Sequence, residues 1–176
     1  MADQEKQMIL AAQRGQTDGY KYLMGRYGRQ VQLLVAQMVG DSRDAEELTQ
    51  DTFVRAFEHL KDFDPERASF QTWLCRIAYR SALNHLRSHG LATKPLEEGR
   101  CLPESDEANS TDERLNRLDE AIDRLRPEER TLLHLHYYEE RSLQEIAQVT
   151  GVAAGPLANR LQRIRQKLRK LLDIDH

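Results

Sequence analysis

Arg160, Arg163, Lys167 and Lys170 recur at intervals of three, four and three residues, a spacing that puts four cations on one flank of a helix. No Asp or Glu falls between Glu145 and Asp173, so this positive charge is unopposed, as contact with a phosphate backbone requires. A second set lies upstream, where Arg76, Arg80 and Arg87 share a flank with Trp73 at its margin. Guanidinium groups beside an aromatic ring suit an unpaired nucleic-acid strand, whose bases stack on rings while its phosphates meet cations. The competing readings are a solvated amphipathic helix for the first set and plain core packing for Phe70 and Trp73.

Catalytic and metal chemistry find less support. Glu46, Glu47, Gln50 and Asp51 make a polar, acidic face with nothing apolar nearby to raise a carboxyl pKa for acid–base work. His85 and His89 are four apart and His134 and His136 flank Leu135, but neither pair has a third ligand at a credible spacing. There is no Gly-rich phosphate loop, and no nucleophile has an identifiable partner base. The expectation is a binding protein, not an enzyme, with no metal and no cofactor.

The elements that must position the cations read as helices. Ser142 and Glu145 have capping-box spacing, so a short helix starts there and carries Ile146, Ala147 and Val149 inward. It breaks at Thr150-Gly151, and a second helix starts near Gly155-Pro156, with Leu157, Leu161, Ile164, Leu168 and Leu171 as its apolar face. That is helix-turn-helix spacing, over about 142–163.

From the N-terminus, an opening helix ends at Gly15. Thr17 or Asp18 caps a second, whose apolar side is Tyr20, Leu23, Met24, Tyr27, Val31, Leu34 and Val35 before Gly40. Asp44, with Glu47 closing the box, starts a third that turns Ala45, Leu48, Thr52, Ala56 and Leu60 inward. After Asp62-Phe63-Asp64-Pro65, Ser69 caps a fourth that ends at Gly90 and buries Phe70, Trp73, Leu74, Ile77 and Ala78. A new helix begins near Asp112, with Leu115, Leu118, Ile122 and Leu125 at helical spacing. Arg126-Pro127-Glu128-Glu129 opens another that carries Leu132, Leu133, Leu135 and Tyr138.

The 176 residues carry a net charge of −3, which suits a nucleic-acid binder only once it is divided along the chain. Residues 1–90 hold 12 basic and 12 acidic side chains, residues 91–120 hold 4 and 9, and residues 121–176 hold 10 and 8. The acid is concentrated in the middle, and local field governs attraction to phosphate. The expected organisation is all-α, with one small helical domain over 1–92 and a second over 112–176. A Pro-, Glu- and Ser-rich flexible linker joins them over 93–111. No apolar run reaches membrane-spanning length and the N-terminus lacks a secretory pattern, so a cytoplasmic location is expected. Cys75 and Cys101 are too few for a disulfide framework and read as reduced thiols.

Three ordered segments, DAEELTQDTFVRAF, then FDPERASFQTWLCRIAYRSALNHLR, then LRPEERTLLHLHYYEERSLQEIAQVTGVAAGPLANRLQRIRQKL, closely resemble RNA polymerase sigma factors of the extracytoplasmic-function (ECF) type in the sigma-70 family. The resemblance implies a transcription-initiation subunit with a region 2 and a region 4, partnered by bacterial core RNA polymerase (its β′ clamp helices and β flap), promoter DNA and an anti-sigma factor. It implies polymerase contacts at Asp44, Glu46, Glu47, Gln50 and Asp51. At the minus-10 element it implies opening and strand contact by Phe63, Arg67, Ser69, Thr72, Trp73, Arg76, Arg80, Asn84 and Arg87. At the minus-35 duplex it implies contact by Pro156, Asn159, Arg160, Arg163 and Lys167. The chain departs from the family pattern at Arg80, often Asn, and at Pro156-Leu157-Ala158-Asn159, often Thr-Val-Lys/Arg-Ser, which bears on the promoter it reads. The alternatives are a sigma-like decoy that binds an anti-sigma factor and a stand-alone helix-turn-helix regulator. The first has no use for the acid-free arginine stripe, and the second leaves residues 1–90 unexplained.

Overall fold

The computed structural model describes residues 2–90 and 110–174, and these form helices joined by short turns. The N-terminal module comprises α1 (Ala2–Gln13), α2 (Thr17–Val39), α3 (Ser42–Glu58), a 3₁₀ turn (Leu60–Asp62) and α4 (Phe70–Ser88). The C-terminal module comprises α5 (Ser110–Asp123), α6 (Pro127–Leu133), a π-helical turn (His134–Tyr138), α7 (Leu143–Thr150) and α8 (Ala154–Ile174). The acidic tether expected over 93–111 lies almost wholly outside the described residues.

Local chemistry explains most boundaries. Gly15, Gly40 and Gly151 take positive φ at helix ends, where a Cβ would be strained. Ser69 Oγ accepts from Thr72 N at 3.1 Å and opens α4 as expected. Pro127 occupies the first turn of α6, whose Glu129 carboxylate takes the Arg126 N–H at 2.9 Å. Two caps differ from expectation. Asp41, not Asp44, caps α3 by accepting from Arg43 N and Asp44 N, and α2 starts at Thr17 after Gln16, which makes no side-chain cap bond. Asp41 lies one residue ahead of the helix in extended backbone, which is where an N-cap carboxylate can face the free N–H groups.

The core is continuous through both modules. Leu23, Val31, Leu34, Ala45, Phe53, Phe70, Leu74 and Ala78 are buried in the first half and Leu125, Leu135, Ile146, Leu157 and Ile164 in the second, all within one cluster. α7 packs on α4 and α6 packs on α2. Three expected core residues are exposed: Met24 to 46 %, Leu115 to 53 % and Tyr138 to 77 %. Leu115 stands on the free N-terminal half of α5, where burial starts only at Leu118 and Ala121. Tyr138 closes the π turn, in which Glu139 N reaches back five residues to His134 O and carries this stretch off the α-helical register.

Candidate nucleic-acid interface

The stripe on α4 forms as its spacing requires. Arg76, Arg80, Asn84 and Arg87 are exposed along one line and Trp73 is half-buried at its head, its ring 5.4 Å from Phe63 and 5.7 Å from Phe70. Trp73 thus presents one edge to solvent and anchors the other in the core. Arg67 and Ser69 are both exposed, Ser69 with its hydroxyl engaged in the capping bond at the start of the helix. Phe63 and Thr72 differ: both are buried, Thr72 to 3 % exposure, so neither offers its side chain to a strand in this conformation.

On the C-terminal module the capping box is complete. Glu145 N donates to Ser142 Oγ at 3.2 Å and Ser142 N donates to Glu145 Oε2 at 2.9 Å. These bonds from Ser142 hold the Glu145 carboxyl below its usual pKa range. α7 turns at Gly151 into α8, whose Leu157, Leu161 and Ile164 are buried while Pro156, Asn159, Arg160 and Arg163 face outward. Lys167 is half-buried and donates to Glu129 Oε2 at 3.0 Å, so it is engaged within the module. Arg165, which periodicity left aside, donates to Tyr137 Oη at 2.5 Å and lies over that ring.

The acidic face of α3 is exposed at Glu46, Glu47, Gln50 and Asp51 and continues into Val54, also exposed. Asp44 is drawn aside, with His85 Nε2 3.2 Å from its Oδ2. His89 lies against His85, ring centroids 4.2 Å apart. Among the described residues no group of three His, Cys, Asp or Glu side chains is placed to hold a metal ion. A groove between α2 and α3, lined by Arg29, Gln32, Leu33, Ala36, Ser42 and Ala45, adjoins this face.

Residues 23–91 match the family described as Sigma-70 region 2, and residues 115–168 match Sigma-70, region 4. The chain is 31 % identical to the RNA polymerase sigma factor CarQ of Myxococcus xanthus, over 90 % of this chain and 91 % of that protein. The chain is an ECF sigma factor of the sigma-70 family. This sigma factor is also 29 % identical to the ECF RNA polymerase sigma factor SigW of Bacillus subtilis, over 95 % of this chain and 96 % of that one. Its fold matches CnrH, solved in complex with the cytosolic domain of CnrY, at a TM-score of 0.70 and 24 % identity, covering 98 % and 99 % of the two chains. As a sigma factor it is a non-enzymatic initiation subunit that binds core RNA polymerase and promoter DNA. Among the described residues no helix is long and apolar enough to cross a membrane.

Four side chains that join the sigma factor's two regions escaped the sequence reading: Gln30, Arg130, Glu139 and Arg141. Arg130 is 1 % exposed, and its guanidinium donates to Gln37 O at 2.9 Å on α2 and to Leu125 O at 2.5 Å. The buried side of α6 is Pro127, Arg130, Thr131 and Leu132, so a cation on the inward face of a short helix was the available signal.

Proposed function

We propose that region 2, residues 1–92, opens the minus-10 element and holds its unpaired strand along Trp73, Arg76, Arg80, Asn84 and Arg87. Region 4, residues 112–176, reads the minus-35 duplex with the outward face of α8 at Pro156, Asn159, Arg160 and Arg163. The single observation that supports this most is the existence of two acid-free basic faces of different character, one flanked by an aromatic ring and one following a helix-turn-helix. A ring suits bases that have left the stack, and a protruding helix suits a major groove. Reconstituted transcription with purified core polymerase is the test. Promoter-dependent run-off product supports the reading, and its absence with an otherwise functional core overturns it in favour of a decoy.

The exposed acids Glu46, Glu47 and Asp51, with Gln50 and the adjoining groove, form the polymerase-docking face, meeting the β′ clamp helices while region 4 meets the β flap. Asp44 contributes by holding His85, on α4, against α3. An anti-sigma factor is the regulatory partner we infer, because the fold neighbours include a sigma factor RpoE solved with the anti-sigma factor NepR from Bartonella quintana. That chain is 20 % identical at a TM-score of 0.70, covering 89 % of this chain and 98 % of that one. The protein acts in the cytoplasm, where polymerase and promoter are found.

A further inference from the structure

α8 turns by about 100° per residue, so its burial pattern fixes which way each side chain looks. Leu157, Leu161 and Ile164 are buried where α8 packs on α5, α6 and α7. Two cations beside this buried side are held by the module itself. Lys167 donates to Glu129 of α6 at 3.0 Å, and Arg165 donates to Tyr137 Oη of the π turn. The side opposite the buried residues carries Asn159, Gln162, Arg163 and Gln166, all exposed. Among the described residues none of these four makes a hydrogen bond or ion pair, so their polar ends are available to a partner.

The start of the helix narrows the choice. Ala154, Gly155, Pro156 and Ala158 carry no polar side chain, and a Cβ at Gly155 would meet nothing within 4 Å, so no contact inside the protein requires that glycine. A helix end stripped in this way lets its backbone come close to a groove floor. In a helix-turn-helix the N-terminal part of the second helix meets the base edges. The first side chains there that can bond a base are therefore Asn159 and Gln162. They stand one turn and about 4.5 Å apart along the axis, against about 3.4 Å between base pairs. Both are carboxamides, and a carboxamide matches adenine in the major groove, its nitrogen donating to N7 while its oxygen accepts from the 6-amino group. The arginines have a different task, since phosphate contacts set register and affinity but carry no sequence information.

We propose that Gln162 is a specificity-determining residue of α8: with Asn159 it reads the adenines of neighbouring A·T pairs in the minus-35 duplex, while Arg160 and Arg163 supply phosphate contact that is independent of sequence. The proposal rests on α8 being the duplex-reading helix, and it names the bases that this helix selects.

The test uses the full chain bound to purified core polymerase and a library of duplex DNA randomised across both promoter elements. The upstream motif retained by the parent is expected to contain two neighbouring A·T pairs. Gln162→Ala is expected to lower the preference for one of them about tenfold and to leave the other positions and the salt slope unchanged. Asn159→Ala is expected to do the same at the other pair. Gln162→Arg is expected to exchange A·T for G·C at its position, a gain that a merely structural role does not give. Arg163→Ala, in contrast, is expected to weaken binding to every sequence and to lower the salt slope by about one. An upstream motif without the neighbouring A·T pairs, a Gln162→Ala motif identical to the parent's, or a Gln162→Ala loss spread evenly over all sequences overturns the proposal. Failure of the duplex-reading assignment is seen separately, because in that case Arg160→Ala/Arg163→Ala also leaves the upstream motif and the affinity as they are in the parent.

Discussion

Gln30 and Glu139 stand 109 residues apart in sequence, and Gln30 Nε2 donates to Glu139 Oε2 at 2.7 Å. Burial, the largest influence on this carboxyl, acts to raise its pKa, but contacts with His134, Arg141 and Gln30 together bring it below its ordinary value of 4.5. His134 Nε2 is 3.3 Å from Glu139 Oε1 at a poor hydrogen-bonding angle, so Arg141 and Gln30 supply the better bonds. A carboxyl depressed in the folded state stabilises it above the unfolded pKa and loses that contribution as pH falls through the folded value. The Glu145 cap has the same sign. The midpoint of urea unfolding is expected to drop between about pH 5 and pH 3, and Glu139→Gln to flatten that slope while lowering the midpoint at pH 7. Glu139→Ala leaves Arg141 buried without its carboxylate and is expected to cost about 3–5 kcal/mol.

Glycines in α2 should respond with opposite signs. A Cβ at Gly19 collides with the backbone of Ala12 and with Met8 O, and backbone atoms cannot give way as a side-chain end can. Gly19→Ala gains roughly 1 kcal/mol of helix propensity and loses more by forcing α1 away from the core, for a net destabilisation of about 1–3 kcal/mol. A Cβ at Gly25 meets nothing within 4 Å, so Gly25→Ala is expected to stabilise by about 0.5–1 kcal/mol. Chemical denaturation of the two variants beside the parent reads both.

Periodicity and caps made the single modules legible and left their association hidden. Leu157, Leu161 and Ile164 announced the buried side of α8, and Ser69 and Ser142 announced caps that form with their expected partners. Asp44 misled because a cap and a first-turn acid look alike in sequence, and only backbone direction separates Asp41 from it. Tyr138 misled because a π turn leaves no mark in hydrophobic spacing. The contact between the modules was illegible for a different reason. Nothing in the sequence sets Arg130 and Arg141 apart from surface cations, and their burial is decided by carbonyls and hydroxyls on another module about 70–90 residues away.

The acidic face of α3 gives a prediction about assembly. Glu47 and Asp51 are exposed, so replacing both with Lys is expected to change the unfolding free energy by no more than about 0.5 kcal/mol. Affinity for core polymerase is expected to fall about tenfold, near 1.4 kcal/mol, chiefly through slower association that depends on salt. Co-purification and competition with the parent for limiting core measure the loss. Equal occupancy by the double variant removes this face from the polymerase contact.

The two basic faces are separable by the kind of DNA each meets. Arg160 and Arg163 are exposed on α8, so changing both to Ala is expected to weaken binding to closed duplex promoter and reduce the salt slope by about one per lost phosphate contact. Arg76 and Arg80 are exposed on α4, near the half-buried Trp73, where contacts to an unpaired strand count only after base pairs have parted. Arg76→Ala/Arg80→Ala is therefore expected to leave duplex recruitment by the holoenzyme nearly intact while impairing strand opening. A pre-melted bubble supplies the energy of opening, so it should rescue the α4 variant and relieve the α8 variant much less. Run-off transcription with permanganate reactivity of unpaired thymines follows both steps in one assay. Normal transcription from closed duplex by the Arg76/Arg80 variant, or indistinguishable behaviour of the two variants on both templates, refutes the assignment of strand opening to α4 and duplex reading to α8.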